Sequence, residues 1–222
     1  MNVVFKVLIC IITGYLVGTI NPAYIIGKAK GFDIRKKGSM NAGASNALIM
    51  FGKLVGFLCA AFDIAKASLV VSLTSMFLFP DFELAFSITA VAVILGHMFP
   101  FYMKFKGGKG LASLGGVILI YNWKYFLILL SVEIVLVLIT DYICFVPISA
   151  SVIFPISYGI MEKSIIGAVI LLIVTVAIMY KHTENLVRIH NKSELHFSYL
   201  WNKDKELQRM TDNDIHIDTD IK

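Results

Sequence analysis

Seven apolar runs, separated by short polar stretches, dominate the pattern of residues along the chain. A helix that crosses a bilayer needs about 20 apolar residues, within a range of about 17 to 25. The first, second, third, sixth and seventh runs are long enough, and the fifth is slightly short. The fourth has only about ten residues, a length also typical of a re-entrant segment. The pattern predicts an all-α polytopic membrane protein. The runs are residues 7–27, 54–79, 84–101, 111–120, 125–140, 142–161 and 164–180.

The composition excludes most soluble classes of protein. Of the 222 residues, 58% are hydrophobic and 16% are charged, and the mean hydropathy is +0.79. Soluble domains average about 45–50% apolar and roughly 25% charged residues. The runs are unbroken in Leu, Ile, Val and Phe, whereas the strands of a membrane barrel alternate apolar and polar residues. Cys10, Cys59 and Cys144 lie inside apolar runs without metal-ligand spacing, so we interpret them as buried small residues.

The charged residues predict the orientation in the membrane. Basic residues cluster after the first, third and seventh runs, whereas the loop after the second contains Asp81 and Glu83 and no Lys or Arg. Cytoplasmic loops of membrane proteins carry an excess of Lys and Arg. Seven spans, with the N-terminus outside and the C-terminus cytoplasmic, place all three clusters in the cytoplasm. We expect residues 1–195 to form one membrane domain and residues 196–222 a polar, mobile cytoplasmic tail.

Two glycine-rich clusters on the proposed cytoplasmic side have the composition of anion sites. Residues 38–46 (GSMNAGASN) precede the second apolar run, and residues 104–110 (KFKGGKG) precede the fourth. Glycines let a backbone approach a ligand, and backbone amides with ammonium groups bind anions at helix N-termini. A flexible loop would also explain the first cluster. The positive-inside pattern would explain the lysines of the second but not its three glycines.

Polar residues after the seventh run and charges within the second complete the candidate chemistry. His182, Glu184, Asn185 and Arg188 follow the seventh run and alone would suit an ordinary helix end. Asp63 and Lys66, inside the second run, are three residues apart and therefore share a helix face. Charge inside a membrane is costly and marks function by default, although a structural ion pair is the alternative.

Five segments resemble the motifs of the bacterial membrane glycerol-3-phosphate acyltransferases that use acyl phosphate, the PlsY family. Residues 96–110 are similar to GHxFPxxxxFKGGKG almost without change, and this is the most specific match. Residues 18–26 resemble GSIPxxYLI, 38–53 resemble GSGNxGATNxxRxxGK, 63–67 resemble DxxKG, and 182–194 resemble HxENxxRLxxGTE.

The resemblance implies a seven-helix enzyme of the bacterial plasma membrane with its active site on the cytoplasmic face. Such enzymes transfer an acyl chain from acyl phosphate to the sn-1 hydroxyl of glycerol-3-phosphate, giving lysophosphatidic acid and phosphate for phospholipid synthesis. No cofactor, metal or nucleic acid is expected, and the lipid bilayer is the only other partner. None of the five histidines has an aspartate five positions later, so the His-x4-Asp pair of other glycerolipid acyltransferases is absent. Because a mixed anhydride is already activated, the enzyme needs no nucleophile, and a phosphate oxygen of the substrate can serve as the base.

The resemblance assigns roles to individual residues. His97 has two open roles, as a proton shuttle or as a residue that fixes its loop by hydrogen bonding. The expected catalytic residues are Ser39, Asn41, His97, Lys104 and Asn185, and the expected substrate-binding residues are Ser45, Asn46, Lys106, Gly107, Gly108, Lys109, His182, Glu184 and Arg188.

Two other functions stay open, one of them because of departures from the family motifs. An apolar residue, Ile49, stands where the family usually has arginine, and an apolar side chain cannot contact phosphate. The chain could therefore be an inactive paralogue that binds a phosphate ligand. A transporter or flippase of phosphorylated solutes would also suit basic loops and intramembrane charges. The other departures are Met40 and Lys192 for glycine, Ser45 and Ser193 for threonine, Ala67 for glycine and Thr183 for arginine.

Overall fold

The computed structural model describes residues 1–202, 206, 208 and 209, and in this part of the chain all regular structure is helical. Short 3₁₀ turns at Ile34–Lys36, Phe101–Met103 and Phe197–Leu200 join or end the helices. The α-helices are α1 (Val3–Thr19), α2 (Pro22–Ala29), α3 (Ala44–Phe51), α4 (Lys53–Ser72, continued by the π-helical turn Leu73–Leu78), α5 (Ala85–Met98), α6 (Leu111–Tyr121), α7 (Trp123–Thr140), α8 (Phe145–Met161) and α9 (Ile165–His190).

The predicted all-α membrane class is confirmed, and each apolar run contains at least one helix. Within the described residues, four helical segments are long and apolar enough to cross a membrane: Lys53–Leu78, Ala85–Met103, Trp123–Thr140 and Ile165–His190. A fifth span results if α1 and α2, bent by 40° relative to each other, act together. Helices α6 and α8 are apolar but shorter. Seven spans and an outside N-terminus therefore stay predictions.

The first apolar run is broken by a buried asparagine. Asn21 is fully buried, and its Oδ1 accepts a hydrogen bond of 2.8 Å from the Tyr24 amide. Its Nδ2 donates to the carbonyl oxygen of Ala42, also at 2.8 Å. An asparagine N-cap followed by Pro22 at the first helical position is a strong helix start, so α2 begins anew here.

Small residues bring the membrane helices into close contact. α1 packs along α5, where a Cβ on Gly18 would overlap the Val93 carbonyl and one on Gly96 would overlap the Tyr15 carbonyl. Packing through small residues is typical of helices in membranes, where backbones approach closely. The largest group of buried apolar side chains joins α4, α5, α6, α7, α8 and α9. The motif-bearing loops lie together at one end of this bundle.

The segment after α9 folds back onto that same end. The amide and Oγ of Ser198 each donate a hydrogen bond of 2.7 Å to the Asp141 carboxylate, between α7 and α8. The Arg209 guanidinium donates to the Glu194 carbonyl at 2.8 Å. The tail predicted from the sequence therefore begins with a hydrogen-bonded segment, and residues 210–222 lie outside the described residues. Its mobility stays a prediction.

Candidate active site

Asn46, in the first turn of α3, is fully buried and folds the preceding loop around its amide. Its Nδ2 lies 2.9, 3.0 and 2.8 Å from the carbonyl oxygens of Ile34, Lys37 and Asn41, to which it donates. Its Oδ1 accepts from the Ser39 amide at 2.9 Å. The Ser39 side chain is exposed and that of Asn41 is half-buried. The Asn46 side chain therefore fixes the loop that presents these two residues.

This loop leads into a short helix and not, as the sequence suggested, directly into the second membrane helix. α3 has eight residues, and Gly52, with a φ of +90°, separates it from α4. Ser45 is exposed on α3, and Ile49 is half-buried. Met40 is 72% exposed and has a φ of +54°, a left-handed conformation that favours glycine. The glycine of the family motif thus stands where the backbone needs one.

The Gly107-Gly108 turn is bound to the end of α5. The Gly107 amide donates to the Met98 carbonyl at 3.0 Å, and the Gly108 amide donates to the His97 carbonyl at 3.1 Å. The sequence suggested that backbone amides of this turn bind an anion, but these two are already paired. A helix leaves its first N–H groups unpaired, and in α6 these are the amides of residues 111–113, since the Leu114 amide donates to the Gly110 carbonyl at 2.8 Å.

Two lysines of the same loop are exposed. Lys104 and Lys106 both have exposed side chains, and Lys104 and Phe105 adopt left-handed conformations with φ values of +54° and +58°. The loop ends at Gly110, with a φ of +93°, which caps α6. In this turn the glycine with a positive φ is thus Gly110 and not Gly107 or Gly108. The sharp turns leave both ammonium groups free to meet a ligand.

Asp63, Lys66 and His97 form a buried cluster beneath this turn, each with a side chain 3% exposed. The Lys66 Nζ lies 2.7 Å from Asp63 Oδ1 and 3.2 Å from His97 Nδ1. The His97 Nδ1 lies 3.3 Å from the same carboxylate oxygen. The two charges placed on one helix face by the sequence thus pair, and they meet the histidine of the most specific motif.

A chain of hydrogen bonds joins the second cluster, residues 104–110, to the third cluster, the polar residues 182–194 at the end of α9. The Lys109 Nζ donates to Asn185 Oδ1 at 2.5 Å, and the Asn185 Nδ2 donates to Glu194 Oε1 at 2.6 Å. The Arg188 Nε donates to the other oxygen of Glu194 at 2.6 Å. Burial, followed by the nearby Arg188 guanidinium, lowers the pKa of the Lys109 ammonium. Glu194 therefore orients both Asn185 and Arg188.

Two further residues of the third cluster differ in exposure. His182 is buried on α9, and its Nδ1 donates to the Ile178 carbonyl at 2.9 Å, since a carbonyl oxygen can only accept. Glu184 is exposed and lies close enough to Lys109 for its charge to act on that ammonium group.

Ile34 and Arg35, just before the first cluster, join it to the second, since the Ile34 carbonyl accepts from Asn46 and the Arg35 side chain contacts the second cluster. The Arg35 Nη1 donates to the carbonyl oxygens of Met103 and Lys106, at 2.5 and 3.2 Å. The same guanidinium forms an ion pair of 2.6 Å with Asp33 and, through hydrogen bonding, lowers the pKa of that carboxyl to about 2. The three predicted clusters are thus connected at one end of the bundle, with the second in the middle.

Sequence reasoning missed four residues of this arrangement. Arg35 entered the sequence analysis only as one of the basic residues that predict the topology. Glu194 lay within a motif, but no role was assigned to it. Cys144 lies close enough to Lys109, Arg188 and Glu194 for their charges to act on it. Ser113, in the first turn of α6, has a buried Oγ without a hydrogen-bond partner among the described residues. Within the same part of the chain, no three His, Cys, Asp or Glu side chains are grouped as a metal site requires.

Comparisons with known proteins match most of the chain to one family. A family profile described as glycerol-3-phosphate acyltransferase matches residues 8–192. The glycerol-3-phosphate acyltransferase of Bacillus velezensis is 36% identical over 83% of this chain and 94% of its own. That of Thermotoga petrophila is 38% identical over 82% of this chain and 92% of its own.

Two solved structures have a similar fold. The crystal structure of PlsY, an integral membrane glycerol 3-phosphate acyltransferase, in its glycerol 3-phosphate form superposes with a TM-score of 0.78 at 29% identity, covering 87% of this chain and 96% of that one. Its lysophosphatidic acid form gives a TM-score of 0.76 at 28% identity with the same coverage. This chain belongs to the glycerol-3-phosphate acyltransferase family of integral membrane proteins, which serves phospholipid synthesis.

Proposed function

We propose that this protein transfers the acyl chain of an acyl phosphate to the sn-1 hydroxyl of glycerol-3-phosphate. The products are lysophosphatidic acid and inorganic phosphate. The observation that carries the proposal is the connection of three polar clusters, through Ile34 and Arg35 and through Lys109, at one end of the helical bundle. With the basic loops inside, this end faces the cytoplasm of a bacterial plasma membrane.

The chemistry requires charge neutralisation and alignment more than a reactive side chain. The glycerol hydroxyl oxygen forms a bond to the acyl carbonyl carbon, and the bond from that carbon to the phosphate oxygen breaks. The phosphate leaves with the electron pair, and the hydroxyl proton passes to a phosphate oxygen. Exposed Lys104 and Lys106, with the free amides at the start of α6, provide the positive charge that two phosphate groups need. Holding both substrates in line supplies the rest of the acceleration.

The exposure and hydrogen bonding of the site residues favour binding roles for some and positioning roles for others. Ser39 and Ser45 are exposed and suit phosphate binding through their hydroxyl groups. Asn46 contributes by holding the loop of Ser39 and Asn41. Lys109 contributes by orienting Asn185, whose two polar atoms are both hydrogen-bonded.

The test is phosphate release from palmitoyl phosphate by the purified protein in a lipid mesophase, with and without glycerol-3-phosphate. We expect release that depends on glycerol-3-phosphate and that palmitoyl-CoA cannot replace. Lys104→Ala should remove most of the activity, whereas Lys124→Ala is the matched control, because Lys124 is an exposed lysine beside Trp123 at the start of α7, away from the three clusters. Comparable turnover with palmitoyl-CoA would reject the donor. No turnover, with a melting temperature raised by ligand, would favour an inactive binder.

A further inference from the structure

Lys66 secures the break between α1 and α2. Its Nζ donates to the carbonyl oxygens of Gly18 and Ile20, at 2.9 and 2.6 Å. The last carbonyl groups of a helix have no partner within it and need one elsewhere. Lys66 on α4 therefore closes the end of α1 just before Asn21 starts α2.

The same ammonium group connects α4 with the end of α5. Asp63 Oδ1 lies 2.7 Å from the Lys66 Nζ and 3.3 Å from the His97 Nδ1. The three side chains are nearly inaccessible, so water solvates neither the carboxylate nor the ammonium group. Removing one partner of a buried ion pair leaves an uncompensated charge, which costs more than removing both. The imidazole is consequently held on its Nδ1 side.

The opposite side of the imidazole supports the glycine turn. A Cβ built on Gly108 would overlap the His97 Nε2 and come within 2.7 Å of its Cε1. The Gly108 amide is bonded to the His97 carbonyl, so this turn rests on the ring and on the backbone of one residue. The turn leads directly to Lys109, which orients Asn185, and to the first turn of α6, which contains Ser113.

We propose that Asp63 and Lys66 are positioning residues that act through His97 to set the Gly107-Gly108 turn and the anion-binding start of α6. This inference rests on the proposed function, since it assigns the buried charges to the same site. If the Asp63–Lys66 pair only stabilised the fold, it would need no contact with His97 of the most specific motif, yet both side chains lie against that imidazole. Another buried carboxylate, Glu133, supplies a comparison: it accepts a hydrogen bond of 2.6 Å from Ser149, which lies outside the five motif segments.

The experiment compares Asp63→Asn, Lys66→Met and the double variant with wild type and with Glu133→Gln, all as the full chain. Three quantities are measured: the melting temperature, kcat/KM for palmitoyl phosphate, and the Kd of palmitoyl phosphate from its effect on the melting temperature. Each single variant should melt at a lower temperature and lose at least about tenfold in kcat/KM, as expected for loss of a charged hydrogen bond. The double variant should recover the part of the melting temperature that an uncompensated charge costs, although the Gly18 and Ile20 carbonyls stay unpaired, and it should recover neither kcat/KM nor Kd. Glu133→Gln should keep the wild-type kcat/KM and Kd for palmitoyl phosphate.

Recovery of kcat/KM together with melting temperature in the double variant would overturn the inference, because the pair would then be structural only. An inactive wild type would reject the proposed function, while the Kd series would still test the positioning role. A double variant that binds palmitoyl phosphate as tightly as wild type would overturn it there. A wild type that neither turns over nor binds palmitoyl phosphate would overturn both.

Discussion

Replacing Gly108 by alanine adds one methyl group where the structure has no room. The added Cβ would lie 2.7 Å from the His97 Cε1 and 3.0 Å from its Cδ2, and would overlap the Nε2. Atoms at these distances must separate, and the buried ring cannot retreat without leaving Asp63 and Lys66. The turn is therefore displaced instead. Overpacking by one methylene-sized group costs about 1–3 kcal/mol.

The displaced turn should destabilise the transition state by the same amount. The kcat/KM for palmitoyl phosphate should then drop by about 5- to 150-fold, since about 1.4 kcal/mol is a factor of ten. Phosphate release at varied palmitoyl phosphate measures it. The matched control is Gly115→Ala on α6, where the nearest atom to the new Cβ is 3.9 Å away. We expect Gly115→Ala to keep wild-type activity and melting temperature. Equal kcat/KM in both variants would refute the claim that the glycine turn rests on the imidazole.

Four further predictions follow from single residues. Met40→Gly should raise the free energy of unfolding by about 1 kcal/mol by removing left-handed strain, measurable as a higher melting temperature. Ile49→Arg should lower the KM for a phosphate-bearing substrate, because arginine grips phosphate with two hydrogen bonds; an unchanged or higher KM in folded protein would contradict a weakened phosphate contact. Ser113→Ala should weaken palmitoyl phosphate binding by about 2- to 12-fold if its unpaired hydroxyl meets the anion, and an unchanged Kd would exclude this. In a Cys-free background, an impermeant thiol reagent added to whole cells should label a cysteine replacing Asp81 and spare one replacing Lys106, and the reverse pattern would invert the topology.

The apolar pattern predicted where the helices lie because burial in lipid depends on composition over many residues. It did not predict the break at Asn21, whose amide bonds to the Ala42 carbonyl, a partner distant in the sequence. Nor did it separate α3 from α4, since the turn at Gly52 interrupts an otherwise continuous helical sequence. Local composition finds the segments, and contacts between distant segments decide where they bend.

The sequence likewise predicted one part of the candidate site and missed another. Residue types and spacing identified its three clusters, because anion binding needs glycine, serine, asparagine and lysine in short segments. They could not reveal that the Gly107 and Gly108 amides are paired with α5, or that the Asn46 side chain is occupied by its own loop. Those roles depend on which polar groups the fold brings together. The positive φ of Met40, by contrast, explains a motif glycine that sequence comparison could only count as a departure.

The segment that folds back after α9 has a practical consequence for handling the protein. The family match ends at residue 192, yet Arg209 donates to the carbonyl oxygens of Lys192 and Glu194, at 2.7 and 2.8 Å. An expression clone cut to the boundary of the family would therefore lose Glu194 itself, and one cut shortly after it would lose the groups that hold it. The first helix begins at the opposite end of the bundle, where Lys6 lies over the ring of Phe82. An affinity tag accordingly belongs at the N-terminus, and a chimera that borrows this membrane core must keep its own C-terminal residues through Arg209.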